Sequence, residues 1–155
     1  MTIASTIEVG SQHAATPHVV NRFRELFNTL DKGNLNKLAG VYGEHIHFKD
    51  PLCEVRGLDE LTRYFAGSYQ NVIACHFVFG QEAVDEGTVT LPWTMYLRHK
   101  RINGGKEIQV EGISHLLIGE GKVNYHRDYF DAGQMLYENL PLLGGIIRKI
   151  KEHAG

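Results

Sequence analysis

Apolar residues recur at helical spacing in the first part of the chain and at alternate positions in the second. Val20, Phe23, Phe27 and Leu30 form one helical stripe, widened by Val19 and Leu26. Thr16 before Pro17 supplies an N-cap and a first-turn proline, so a helix is expected from residue 17 to about residue 30. Residues 1–16, rich in Ser, Thr, Ala and Gly, read as a flexible N-terminal arm. Asp31-Lys-Gly-Asn34 ends the first helix and caps a short second one that turns Leu35, Leu38 and Val41/Tyr42 inward. A short strand follows over residues 45–51, with Ile46, Phe48 and Asp50 on one face and His45, His47 and Lys49 on the other. Beyond a loop through Gly57, Leu61, Tyr64, Phe65 and Tyr69 give the apolar face of a third helix over residues 59–70.

Four strands are then expected, over about residues 74–84, 88–99, 107–118 and 122–130. Asp85-Glu-Gly87, Asn103-Gly-Gly105 and Gly119-Glu-Gly121 supply the turns, and Pro92 predicts a bulge in the second strand. The order is that of an α+β domain in which a bent sheet wraps three N-terminal helices, with residues 17–155 as a single domain. Residues 140–153 read as a basic amphipathic helix: Leu143, Ile146/Ile147 and Ile150 form a stripe and Arg148, Lys149 and Lys151 lie off it. That stripe is expected to pack on the body or on a second subunit, with a membrane-surface anchor as the alternative.

Composition narrows the function classes. A net charge of -2 and a pI near 6.5 leave no basic stripe for a nucleic-acid groove. Cys53 and Cys75 show neither framework nor CxxC spacing, which reads as two reduced thiols of a cytoplasmic protein. No apolar run reaches membrane-spanning length. The histidines form no zinc motif and no cysteine has ligand spacing, so neither metal nor other cofactor is expected.

The candidate chemistry lies on the last strand. Side chains alternate there, so His126, Asp128 and Phe130 share one face and Tyr125, Arg127 and Tyr129 the other. An acid turned into an apolar interior needs a reason. Asp128 and Asp50 are the expected proton carriers, since two carboxylates in one apolar cavity cannot both ionise freely and so provide an acid and a base. His126 would orient ligand or water. The structural alternatives are that Asp50 merely caps a turn, that Asp128 pairs with Arg98 or another cation, and that His126 is satisfied by a backbone carbonyl. Ser114 is expected to face the cavity without a paired base, which disfavours a serine nucleophile. Trp93, Met95 and Leu97, with Phe65, Phe77 and Phe79, would form core and pocket wall together. Ile113, His115, Leu117, Tyr125 and Tyr129 fall on the opposite face of the last hairpin, where apolar groups need cover and point to a homodimer.

Phe48-Lys-Asp-Pro51 with Gly57-Leu-Asp59, and Gly121-Lys-Val123 leading to Arg127-Asp-Tyr-Phe-Asp131, resemble motifs of the NTF2-like superfamily, over about residues 18–138. That superfamily includes SnoaL-like polyketide cyclases, ketosteroid isomerases and limonene epoxide hydrolases. The resemblance implies a cone, a strongly curved mixed β-sheet around three N-terminal helices plus a C-terminal helix. It also implies an apolar pocket faced by His126, Asp128 and Phe130, and pairing of two subunits through the convex sheet face. Asp50 is similar to the proton-shuttling base of the isomerases, and Asp128 to the water-activating aspartate of the epoxide hydrolases. Leu26 and Ser114 stand where the isomerases place their oxyanion-hole tyrosine and acid. Met95 and Leu97 stand where the epoxide hydrolases place an Arg-x-Asp pair. Phe48, Phe130, Tyr64, Leu26 and Ser114 are expected to touch the ligand beside Trp93, Met95 and Leu97. The function implied is binding of a small apolar molecule with cofactor-independent acid/base chemistry, as an isomerase, cyclase or epoxide hydrolase. The alternative is a non-catalytic carrier or a protein-interaction domain.

Overall fold

The computed structural model describes residues 4–139 and 143–154, with side chains from residue 15 onward. Helix α1, Ala4–Thr29, carries the expected stripe, and Val19, Val20, Phe23, Leu26, Phe27 and Leu30 are all buried. Each contributes about 1.5–3 kcal/mol relative to an exposed side chain. The helix begins upstream of the expected start, so Pro17 lies inside it. A proline there removes one backbone donor, and Ala14 and Ala15 before it favour the helix. Of the arm expected over residues 1–16, residues 1–3 lie outside the described residues.

After a 3-10 turn at Leu35–Gly40 come β1 (Tyr42–Lys49), β2 (Glu54–Arg56), α2 (Leu58–Tyr69), β3 (Val72–Phe79), β4 (Ala83–Asp85), β5 (Thr88–His99), β6 (Ile108–Gly119) and β7 (Lys122–Phe130). The strands form one sheet in the order β2-β1-β7-β6-β5-β3, with β4 also on β5. Only β1 and β7 run parallel, with Phe48 opposite His126 and Lys49 opposite Arg127. Asp50 and Asp128 each follow directly on that last pair. The helices cover one face, where Phe23 and Phe27 of α1 and Phe65 of α2 meet Ile46, Phe48, Leu91 and Leu116.

The strand expected over residues 74–84 is two strands. The chain leaves the sheet at Gly80, whose N–H donates to Pro92 O at 2.8 Å. Arg24 of α1 holds the break through Gly80 O at 3.1 Å and Glu82 Oε2 at 2.5 Å. The bulge expected at Pro92 does not fall between β5 and β6, which pair in unbroken register; on the other side of β5 the register slips by one residue between the pairs Phe79–Trp93 and Ala83–Thr90, beside Pro92. The N and O of one strand residue point to the same side, so the missing N–H of Pro92 faces the gap between β3 and β4 and breaks no ladder bond. The outer edge of β3 is occupied by the Asn28 amide, which donates to Phe77 O at 3.0 Å and accepts from Phe77 N at 2.8 Å.

Beyond β7, helix α3 (Ala132–Met135) brings Met135 and Leu136 onto a second core cluster of Trp93, Leu97, Ile102, Ile108 and Val110. Helix α4, Leu143–Ala154, lies within the stretch expected to be helical, of which residues 140–142 are outside the described residues. Of the two packings expected for the stripe, on the body or on a second subunit, its orientation does not match the first. Lys151 Nζ donates to Asp131 Oδ2 at 2.9 Å and Glu138 Oε1 at 2.7 Å, and Arg148 donates to Glu138 O at 2.8 Å. The basic side is therefore tied to the body, while Ile146 and Ile150 are 57% and 62% exposed. Among the described residues no helix is long and apolar enough to cross a membrane.

This clamp carries a pH signature. Hydrogen bonding from Lys151 holds Asp131 below the usual carboxylate range, and Glu138 first, Asp131 second, raise the Lys151 ammonium. A depressed carboxylate contributes stability that is lost as pH falls through its folded value, and a raised ammonium contributes stability lost as pH rises through its own. The protection factor of the α4 amides, the intrinsic exchange rate at each pH divided by the observed one, is therefore expected to stay constant between about pH 5 and 9 and to fall in more acidic and more alkaline solution, where Asp131 is protonated or Lys151 is deprotonated. A constant protection factor across all three ranges would show that the clamp does not hold the helix. Both groups are well exposed, so the loss of protection should be modest.

Candidate functional site

Strands β1, β5 and β6 each send one side chain, and β7 sends two, into a single hydrogen-bonded chain beneath α1. Trp93 Nε1–H donates to Ser114 Oγ at 2.9 Å, and Ser114 Oγ–H donates to Asp128 Oδ1 at 2.5 Å. His126 Nε2 reaches the same oxygen at 2.7 Å, and His126 Nδ1 lies 2.7 Å from Tyr42 Oη. Pairing explains the convergence, since Ser114 stands opposite Asp128 and Trp93 lies on the neighbouring β5. Among the described residues no buried side-chain nitrogen or oxygen lacks a partner.

Directions follow from chemistry. The Trp93 indole can only donate, so Ser114 accepts there and spends its own hydrogen on Asp128. Burial first, and the charge of Asp128 second, push the Tyr42 phenol well above its ordinary value, so it keeps its proton. A carboxylate oxygen only accepts, so Nε2–H donates to Oδ1, and in the neutral imidazole Nδ1 is left to accept from the Tyr42 hydroxyl. Both bonds land on Oδ1; Oδ2 takes none among the described residues, and the side chain of Asp128 is 19% exposed. No Lys or Arg pairs with it among those residues, and Arg98 bonds Gly105 O instead. The carboxylate is thus held through Oδ1, while Oδ2 takes no hydrogen bond from the described residues.

His126, expected to orient ligand or water, is enclosed in the structure. Its side chain is 1% exposed and both ring nitrogens are engaged by side chains rather than by a backbone carbonyl. Edges of Phe48 at 4.9 Å, Phe23 at 5.2 Å and Phe27 at 6.1 Å enclose it, and Tyr42 stacks on it at 5.9 Å. Ser114 donates to an aspartate rather than to an imidazole, which is not the arrangement of a serine nucleophile.

Both carboxylate oxygens of Asp50 are engaged. Its Oδ1 accepts from the N–H groups of Leu52 and Cys53, both at 2.7 Å, and Oδ2 accepts from Tyr64 Oη at 2.5 Å. The turn-capping role describes these bonds. Burial first, then the bond to Asp50, raise the Tyr64 phenol far above its ordinary value, so it stays a donor. The Phe48 ring separates the two groups, 4.9 Å from His126 and 5.5 Å from Tyr64. Of the other expected ligand contacts, Leu26, Leu97 and Trp93 are buried in the two core clusters, while Met95, Phe130 and Tyr64 are partly exposed.

Among the described residues, a cleft of about 910 Å³ lies at the opposite end of β1 and β7, lined by Tyr42 of the hydrogen-bonded chain together with Gly43, Arg56, Arg63 and Lys122, and Asp128 is not part of its lining. Phe130, Met135 and Leu136 pack against the cluster of Trp93, Leu97, Ile102, Ile108 and Val110. Among the described residues no group of three or more His, Cys, Asp or Glu could hold a metal ion. Sequence reasoning missed Tyr42 as a member of the site. The available signal was that a buried tyrosine hydroxyl requires a partner.

A family model described as SnoaL-like domain matches residues 23–126. No curated protein matches the chain. Among solved structures, a protein of Jannaschia sp. CCS1 described as a SnoaL-like polyketide cyclase superposes with a TM-score of 0.65 at 13% identity, covering 76% of this chain and 86% of its own. A limonene-epoxide-hydrolase-like enzyme of Mycobacterium tuberculosis gives 0.63 at 15%, covering 79% and 82%. A ketosteroid-isomerase-like protein of Catenulispora acidiphila, solved with trimethylamine, gives 0.69 at 13%, covering 79% and 92%. At such identities the likeness is one of fold.

Proposed function

We propose, from the premise that this chain belongs to the SnoaL-like domain family, that it binds a small, largely apolar molecule beside Asp128 and acts on it as a base. One observation carries the reading: Asp128 is fixed through Oδ1 by Ser114 and His126, while among the described residues no Lys or Arg pairs with it and Oδ2 takes no hydrogen bond. A carboxylate so placed can take a proton from a carbon acid or from an attacking water, the first half of an isomerisation, a cyclisation or a water addition. Asp50 serves as the brace that shapes the wall through Tyr64. Met95, Phe130, Met135 and Leu136 are the partly buried groups that yield to admit the ligand.

Trp93 is the only tryptophan and hydrogen-bonds the site serine, so its emission reports on the site. Titration with a panel of apolar enones and epoxides should shift that emission saturably for some members, and those members should turn over. No shift and no turnover across the panel would favour a second reading, a protein-interaction domain. Two observations speak for that alternative: the described clefts lie away from Asp128, and α4 leaves its apolar stripe uncovered.

The sheet face away from the helices exposes Ile113, Leu117, Tyr129 and Val78, and a homodimer through it is part of the same proposal. Leu117→Asp should convert a dimer to a monomer in sedimentation equilibrium at unchanged helix content. A monomeric parent protein would remove the dimer from the account and leave the site intact.

A further inference from the structure

The hydrogen-bond chain extends one residue deeper than a base at position 128 needs. The Tyr42 hydroxyl donates to His126 Nδ1, and the two rings are nearly parallel, 8° apart. Every element around the imidazole can be inspected for a competing charge. From α1 come the uncharged rings of Phe23 and Phe27, from β1 Phe48 and Tyr42, from β6 Leu116, and from β7 Asp128. Tyr69 of α2 is the one further titratable group, acting on Tyr42. The imidazole thus meets one acceptor and one donor and is enclosed by rings otherwise.

We propose that Tyr42 is a positioning residue for Asp128, acting through His126: its hydroxyl fixes the imidazole with its hydrogen on Nε2 and so keeps Oδ2 turned toward the ligand. The proposal rests on the base role given above. In the step itself the C–H or O–H bond of the substrate breaks, the proton passes to Oδ2, and the electron pair stays on the substrate or on the attacking water oxygen. Tyr42 and His126 lose no proton. What they supply is orientation, and a displaced reacting group is costly even when the shift is small.

The test uses the full chain and the variant Tyr42→Phe, which keeps the ring and removes the donor. Nitrogen-15 NMR of the His126 side chain without ligand should show one Nε2–H tautomer with an engaged Nδ1 in the parent protein. In the variant, Nδ1 should lose its hydrogen-bond shift and ring orientation should become mixed. On any substrate the panel yields, kcat should fall roughly 10- to 100-fold with KM within about twofold. A parent-like spectrum and a parent-like kcat in the variant would overturn the proposal. Should Tyr42→Phe fail to fold, the comparison of His126→Gln with His126→Leu decides. Glutamine can still donate to Oδ1 and accept from Tyr42, so it should retain most of the rate that leucine loses, and equal rates would overturn the idea. If the parent protein turns over nothing, the base role fails by itself, and the spectra still decide whether Tyr42 orients the imidazole.

Discussion

Asp128→Asn is expected to lower turnover by about 10²- to 10⁴-fold while leaving the fold standing. Asparagine keeps an oxygen where Ser114 and His126 donate, so the buried chain from Trp93 to Tyr42 survives. The change falls on the other oxygen, where a carboxylate that can take a proton becomes an amide that cannot. Stability should shift by no more than about 1 kcal/mol, since no buried polar group loses its partner. Asp50→Asn should show the reverse pattern. Its carboxylate holds two turn N–H groups and the Tyr64 hydroxyl, so the variant should lose stability before it loses chemistry. Steady-state rates beside thermal melts of the two variants separate these roles. Equal rates in parent and Asp128→Asn would end the catalytic reading.

The largest structural effect is expected at Gly112. A Cβ added there would lie 2.3 Å from Cη2 and 2.4 Å from Cζ2 of Trp93, closer than any real contact. The indole cannot swing away cheaply. Its N–H is bound to Ser114, Phe77 abuts it at 5.5 Å, and Phe130 lies at 6.1 Å. Gly112→Ala should therefore cost about 1–3 kcal/mol as overpacking, which for a domain of this size lowers the melting temperature by about 2–12 °C. The emission of the single tryptophan should shift at the same time, because the indole N–H is pulled from its buried acceptor. Unchanged melting and emission would mean that the ring has room the contacts deny it.

Periodicity carried most of the fold and part of the site. Alternation along the last strand put His126, Asp128 and Phe130 on the inner face, and Ser114 was placed beside them, because a strand has only two sides. What alternation cannot supply is pairing over distance. Tyr42 and His126 are separated by 84 positions and meet only because β1 runs parallel to β7, a register no local pattern encodes. The break at Gly80 was hidden for the same reason: apolar residues continue on either side, and the groups that hold the chain out of the sheet belong to α1. In α4 the pattern left open whether the stripe packs on the body or on a second subunit. Lys151 meets two carboxylates on the body, and that attachment turns the isoleucines outward. Proline in β5 suggested a bulge, and the register slips on the side where the neighbouring strand stops and the missing donor would have been required.

A crystal structure of the protein taken directly from the cells that make it, and refined without added ligand, tests the account at its centre. The expected result is density for a small molecule with a polar atom about 2.6–3.2 Å from Asp128 Oδ2, with Met135 and Leu136 displaced from the Trp93 cluster to admit it. Density showing Met135 and Leu136 packed in place, and Oδ2 meeting only bulk water after soaking with every member of the enone and epoxide panel, would contradict it.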